Sequence, residues 1–509
     1  MTLPALSIEY RALSPVLIIL GAAILGVVAE AFAGRDHRYR LQVVIASSGL
    51  AAALLAVVAL AGTRQTAMMG AVAIDGVTLF VQSAILLVGL FTVPLIAERR
   101  RLYSTTGLAA FTPQASAAPG SLLEKSATGA GVMQTEVFPL TMFAVAGMMV
   151  FPAANDLLTM FVALEVLSLP LYLLTGLARH RRLLSQEASL KYFLLGAFSS
   201  AVFLFGCALL YGSAGTLRLA DIADLGDGAL TVAGIGLLAV GLLFKVGAVP
   251  FHSWVPDVYQ GAPTPITALM AAATKVAAFG AMLRLFSVAL PHFRPDWQPV
   301  LWAVAILTMV IGAVLAITQT DITRMLAYSA VAQAGFLLIG VAVAGRAGVT
   351  STLFYLAVYV LATVGAFAVI GLVRDSAGEP DTGISQWAGL GRRSPALALA
   401  FAVFLLSFAG IPLTGGFIAK LGVFTAAAAG GAGVLVMIGV LTSAVAVFVY
   451  ARVLVLMFFS QCPAQPPHVV PSGRFAWATI ALTAVGTIAL GILPAPLMEL
   501  IDGTGLFAK

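Results

Sequence analysis

The sequence predicts an all-α polytopic membrane protein, and three observations carry that reading. Hydrophobic residues make up 61% of the 509-residue chain and charged residues only 9%, with a mean hydropathy of +1.04. A soluble domain carries about 25% charged residues and needs them to cover its surface. Apolar runs of about 18 residues or more, long enough to cross a bilayer as helices, recur from end to end. These runs are continuous rather than alternating, which argues against a membrane β-barrel.

Fourteen spanning segments are expected, at about 12–32, 41–61, 72–97, 134–153, 157–177, 188–211, 231–259, 265–289, 299–318, 323–344, 350–373, 395–428, 432–459 and 474–498. The N-terminus has no Lys/Arg cluster followed by a cleavage site, so the first run is expected to remain as a helix. The seventh and twelfth segments exceed one span and carry proline after glycine, in VGAVPF at Pro250 and AGIPLTGGF at Pro412. Proline removes an amide donor and clashes with the preceding turn, so both segments should be broken helices. Freed backbone groups at membrane depth survive only where protein or a wet cavity satisfies them.

The two breaks correspond. With segments four to eight (134–289) as one unit and nine to thirteen (299–459) as a second, each break falls in the fourth helix of its unit. Five helices per unit invert the second relative to the first, and paired broken helices in inverted repeats mark the pathway of many transporters. Residues 1–133 hold helices one to three and a Ser/Thr/Ala/Gly-rich stretch, 104–131, expected to be a flexible cytoplasmic insertion. Residues 460–509 hold a loop and the last helix. Loops after odd-numbered segments collect most of the arginines, among them Arg38, Arg99, Arg100, Arg101, Arg181, Arg182, Arg324 and Arg393. By the positive-inside rule those loops are cytoplasmic and both termini lie outside.

Other chemistries find little support. Cys207 and Cys462 lie far apart, and His37, His180, His252, His292 and His468 occur singly without ligand spacing, so no metal site is expected. There is no Gly-rich phosphate loop after a strand and no nucleic-acid signature. The +6 net charge reflects arginines at a membrane surface.

The remaining intramembrane charges are informative. Lys191, Lys245, Lys275, Arg284, Lys420 and Arg452 fall inside spans, and Glu165, in FVALEVLSLPLYLL, is the carboxylate placed near a helix centre. Glu30 and Asp75 sit nearer helix ends. A charge at bilayer centre costs roughly 2.5–3.5 kcal/mol on insertion scales, so such residues face the bundle interior and tend to be functional. Lys191, Arg284 and Arg452 read best as snorkelling or structurally paired residues. Glu165, Lys245, Lys275 and Lys420 stand at mid-depth, and three lysines cannot all be neutralised by one carboxylate. In general burial disfavours an ammonium and a nearby carboxylate restores it. An amine tuned to neutral pH both accepts and releases protons, so the four residues are expected to form a proton relay. His252, just past the first break, is a candidate shuttle, with capping or packing as the competing role. Asp257, in WVPDVYQGAPTP, is expected to organise the loop after the half-helix.

FKVGAVPFHSWVPDVYQGAPTPITALMAAATKVAAF, at 244–279, resembles the signature of the antiporter-like subunits of respiratory complex I, a family shared with Mrp-type cation/proton antiporters. DVYQGAPTP followed by TKVAAF is most similar to the subunit N branch, and FVALEVLSLPLYLL and GIPLTGGFIAKLGVF match its fifth and twelfth helices. The resemblance covers most of the chain outside the insertion. It implies a fourteen-helix bundle with two inverted five-helix repeats and a relay of Glu165, Lys245, Lys275 and Lys420. Lysine at 420, where the larger subunits tend to carry an acid, favours subunit N. It further implies a proton-translocating subunit of a bacterial NADH-quinone oxidoreductase in the cell membrane, beside related antiporter-like subunits. No cofactor is expected in this chain, with FMN, iron–sulfur clusters and quinone held by other subunits. The alternative is a subunit of a Mrp-type Na⁺/H⁺ antiporter, which needs an oxygen-rich cation site that Glu165 alone hardly provides. A structural anchor without transport would leave Lys275 and Lys420 unexplained.

Overall fold

The computed structural model describes residues 8–98, 110–130, 132–226, 228–375, 380–464, 466–469, 473–505 and 507–508. Among these, twelve helices have the length and apolarity to cross a bilayer. Spans one to three are Tyr10–Phe32, Arg35–Ala59 and Gly76–Ile96. Span four is Val137–Val150, prolonged by a 3₁₀ turn at Phe151–Ala153. Spans five and six are Leu157–Thr175 and Arg182–Ala214. The first two turns of span six are polar and continue the helix beyond the apolar run that hydropathy detects.

The seventh span is broken as expected, into Ala229–Val246 and Trp254–Gly261, and the twelfth into Pro395–Ala409 and Gly415–Ala429. Span eight is Thr264–Ala289, nine Arg294–Ile317, ten Ile322–Val343, eleven Gly345–Ile370, thirteen Gly433–Phe459 and fourteen Arg474–Ile492. A short helix, Ala495–Gly503, follows. The strands are the hairpin Gln65–Ala67 with Val72–Ile74 and the pair Val373–Arg374 with His468–Val469, all within connections.

Both breaks end their first half-helix in the same way. Gly247 (φ +73°) and Gly410 (φ +79°) occupy the left-handed region that favours glycine. The amides of Gly247 and Ala248 donate back to Phe244 and Leu243, and those of Gly410 and Ile411 to Ser407 and Leu406. This is the glycine-capped Schellman pattern, which satisfies carbonyls a helix end would otherwise leave open. In the first break the Val249 amide, freed from the helix, donates to Thr308 Oγ1 at 3.0 Å.

The repeat is visible in matching contacts. Asp156 caps span five and Asp321 caps span ten, each accepting from the amide three residues on. Leu157 donates to the Leu217 carbonyl and Leu219 to that of Asn155; Ile322 and Ile384 do the same with Thr382 and Thr320. A Cβ on Gly147 would meet the Leu167 amide at 2.3 Å, and one on Gly312 the Ala332 amide at 2.5 Å, so spans four and five cross as closely as nine and ten. Asp321 lies 165 positions after Asp156, and the same holds for 312 against 147 and 332 against 167. Five crossings separate the matched elements, so they run in opposite directions.

Burial places the interior. Span eight is enclosed on all sides and spans ten and eleven nearly so, while thirteen and fourteen leave broad faces bare. Span eight also contains two π-helical turns, Met270–Thr274 immediately before Lys275 and Leu285–Ala289 immediately after Arg284. Such turns interrupt the regular hydrogen-bond ladder and are frequent at functional positions.

The described part of the expected insertion, positions 110–130, makes defined contacts with the bundle. Ser121 caps a short helix, Leu122–Gly129, the Thr112 amide donates to the Leu177 carbonyl, and Arg182 pairs with Glu124 at 3.4 Å while donating to the carbonyls of Ala115 and Ala117. Composition signals a loop here but says nothing of docking partners supplied by span six. Positions 104–109 and 131, with Arg99, Arg100 and Arg101, lie outside the described residues.

Candidate functional site

The six intramembrane cations divide into two groups. Lys191 pairs with Glu187 one turn earlier at 2.7 Å and with Asp257 at 2.8 Å, and Asp257 also receives Arg324 at 2.7 Å. Asp257 thus ties the first repeat to the start of span ten, more than organising its own loop. Arg284 is fully enclosed, bonded to Asp75 (2.7 Å), Thr78 (2.7 Å) and the Pro152 carbonyl (2.7 Å), with Phe507 stacked 5.0 Å away. Arg452 donates to the carbonyls of Ile317 and Gln319 at the end of span nine. Glu30, near a helix end, takes Arg38 at 2.8 Å and Thr135. Each of these charged groups therefore has a protein partner.

Lys245, Lys275 and Lys420 form the second group. They are 4%, 2% and 4% exposed, and none has a carboxylate within 4.0 Å among the described residues. Lys245 lies in the last turn of the first half-helix of span seven. Its Nζ donates to Ser168 Oγ at 2.7 Å and lies 5.7 Å from the centre of the Tyr192 ring. Ser168 is one turn beyond Glu165 on span five and donates on to the Leu164 carbonyl. The expected partnership between Lys245 and Glu165 is therefore not a direct ion pair. Glu165 is half-buried, and its Oε1 is shielded without a hydrogen-bond partner.

Lys275 opens the α-helical stretch after the π turn of span eight, so its side chain points into the most enclosed part of the bundle. It donates to the Ala330 carbonyl on span ten and lies 5.6 Å from the Tyr359 ring of span eleven. Lys420 sits in the second half-helix of span twelve. Its Nζ donates to the carbonyls of Phe408 (3.0 Å) and Ala409 (2.9 Å) and to Ser443 Oγ (2.8 Å), with the Phe336 ring 4.6 Å away. Those carbonyls end the first half-helix, where helical carbonyls lack internal partners and the dipole is negative. The break thereby makes a cation site without an acid.

Several participants escape inspection of charge alone. Gln333, one turn past Ala330, donates to the same Phe408 carbonyl at 3.0 Å and accepts from Tyr355 OH. Ser329 and Tyr450 share a hydrogen bond beside it. A polar path thus runs along span ten from the Lys275 contact to the Lys420 contact. The repeat offered a signal: 165 positions after Glu165 and Ser168 stand Ala330 and Gln333. His252 is half-buried at the first break, its Nδ1 without a partner and its ring 6.4 Å from that of Tyr328. Among the described residues it forms no hydrogen bond with any of the three lysines and is not gathered with them.

With this geometry in place, comparison with known proteins is direct. Residues 154–446 match the family model described as NADH:quinone oxidoreductase/Mrp antiporter, transmembrane. The chain is similar to NADH-quinone oxidoreductase subunit N of Rhodococcus opacus, 60% identical with 100% of this chain and 98% of that one covered. Its fold is similar to a chain of respiratory complex I from Thermus thermophilus (TM-score 0.79, 33% identity, 96% and 100% covered). A chain of the Mrp complex from Dietzia sp. superposes equally well (TM-score 0.81, 98% and 97% covered), but at 22% identity it speaks to the fold alone.

Proposed function

This chain belongs to the NADH:quinone oxidoreductase/Mrp antiporter family, as a membrane subunit of NADH-quinone oxidoreductase, and we propose that it moves protons through Glu165, Lys245, Lys275 and Lys420. It does so beside other antiporter-like subunits of the membrane arm, in a bacterial cell membrane with both termini outside. Electron transfer through flavin, iron–sulfur clusters and quinone belongs to the remainder of the complex.

One observation carries the reading. Among the intramembrane cations, Lys245, Lys275 and Lys420 rest on neutral oxygens, while Lys191 and Arg284 are neutralised by acids and Arg452 caps a helix end. An enclosed ammonium held only by carbonyls and hydroxyls has no fixed counter-ion, so its proton is free to be passed on in a way that an ion-paired lysine's is not. Glu165 supplies the adjustable charge. As it approaches Lys245 the amine takes a proton; as it withdraws, the proton passes inward. Span seven packs directly on span eight, which carries Lys275, and the Ala330–Gln333 turn leads on to Lys420. The shielded Glu165 Oε1, Tyr192 OH and Tyr359 OH, which lack protein partners, are the places where bridging water is expected.

The energies match. Moving one charge against 100 mV takes about 2.3 kcal/mol, and a tenfold change in proton affinity supplies about 1.4 kcal/mol. Coupled changes at two or three lysines are therefore sufficient. The test is Lys275→Met in the whole enzyme, reconstituted into liposomes. Assembly should persist, while coupled quinone reduction and the protons moved per electron both fall. An unchanged proton-to-electron ratio would remove Lys275 from the relay.

A further inference from the structure

An apolar groove of about 860 Å³ lies between spans two, three, eleven and fourteen, roofed by the short helix Ala495–Gly503. None of Lys245, Lys275 and Lys420 lines it. Its walls at depth are Leu87, Phe91 and Leu361, while Arg64 and Glu499 stand where it opens, at the end of the bundle that carries both chain termini. Ser83 also lines it but turns its hydroxyl to the Leu79 carbonyl of its own helix, at 2.8 Å.

Along span three the groove runs from Gly76 to Phe91, about 22 Å at 1.5 Å per residue. That is close to the depth of one leaflet of a bilayer about 40–45 Å thick with its headgroups. Polarity therefore changes along its length as it does along a phospholipid. The mouth offers one cation and one anion, and among the described residues neither forms an ion pair. Arg64 donates one N–H to the Phe507 carbonyl at 2.8 Å, which fixes the guanidinium and leaves its other donors available. A phosphate fits a guanidinium through paired charge-assisted bonds. A primary ammonium fits Glu499 because it donates hydrogen bonds, which a quaternary amine cannot. An anionic headgroup would satisfy Arg64 and oppose Glu499.

We propose that this groove is a binding site for one phospholipid with an ethanolamine headgroup, its phosphate on Arg64, its ammonium on Glu499 and its acyl chains along span three.

The test places the photoreactive residue p-benzoylphenylalanine at Ala489, exposed on the groove wall, in the complete NADH-quinone oxidoreductase in its native membrane. After illumination this chain should carry a phosphatidylethanolamine adduct, enriched over the proportion of that lipid in the extracted membrane. Arg64→Gln should lower its yield about tenfold, the effect of a lost charge-assisted hydrogen bond. A cross-link to a neighbouring polypeptide, an adduct mirroring bulk composition, or a yield indifferent to Arg64→Gln would overturn the assignment.

Discussion

The two broken spans end their first halves alike and handle charge differently. At the first, the lysine belongs to the half-helix that ends: Lys245 lies two residues before Gly247, is received by Ser168, and has Glu165 one turn away on span five. At the second, the lysine comes from the half-helix that begins: Lys420 reaches back to the carbonyls of Phe408 and Ala409 just before Gly410. Where the first repeat has Glu165 and Ser168, the second has Ala330 and Gln333. The lesson is that one backbone device supports two electrostatic arrangements. One has an acid nearby, and the other rests on helix-end carbonyls.

The sharpest way to break this comparison is to delete each lysine. Lys245→Met removes the donor to Ser168 Oγ and the ammonium near the half-buried Glu165, which should destabilise the subunit by about 1–3 kcal/mol. Adding Glu165→Gln should recover most of that loss, a coupling that a double-mutant cycle measures from thermal unfolding of the complex. Lys420→Met leaves only neutral acceptors and should cost about 1–3 kcal/mol, with no acid whose neutralisation rescues it. No rescue at the first site would erase the distinction.

A smaller effect is expected from Gln333→Leu, which strips a donor from the Phe408 carbonyl and a partner from Tyr355. Stability should fall by about 1–3 kcal/mol, and the ratio of protons moved to electrons transferred should drop while quinone binding is unchanged. An unaltered ratio would take span ten out of the path between Lys275 and Lys420.

The smallest effect separates the two glycines. An alanine in the left-handed conformation costs roughly 1–2 kcal/mol at either break. At 410 its Cβ would also lie 2.8 Å from Lys420 Cδ, whereas at 247 it would meet Val255 Cγ2 at 2.6 Å. Gly410→Ala should therefore depress pumping more than Gly247→Ala at comparable stability, as read from proton uptake by liposomes.

Much of this was legible in the sequence. Proline after glycine inside an overlong apolar run located both breaks, because few other residues force a helix to stop within a membrane. Counting helices around Pro250 and Pro412 exposed the inversion. The mid-depth lysines stood out because so little else there is charged. What stayed hidden was set by packing. Ser168, Ser443 and the Ala330 carbonyl are neutral groups that matter only because a lysine reaches them. Gln333 is one polar residue in a buried helix, and its role emerges only when span ten is laid over span five. The docking of 110–130 depends on Arg182, which reads as an ordinary loop arginine.

The central claim is that the three acid-free lysines exchange protons during turnover. Infrared difference spectra of the enzyme before and after reduction, with lysine carrying ¹⁵N at its side chain, test it most directly. Ammonium bands should change on reduction, shift with the label, and weaken in Lys275→Met. Spectra in which no labelled lysine band changes would contradict the relay.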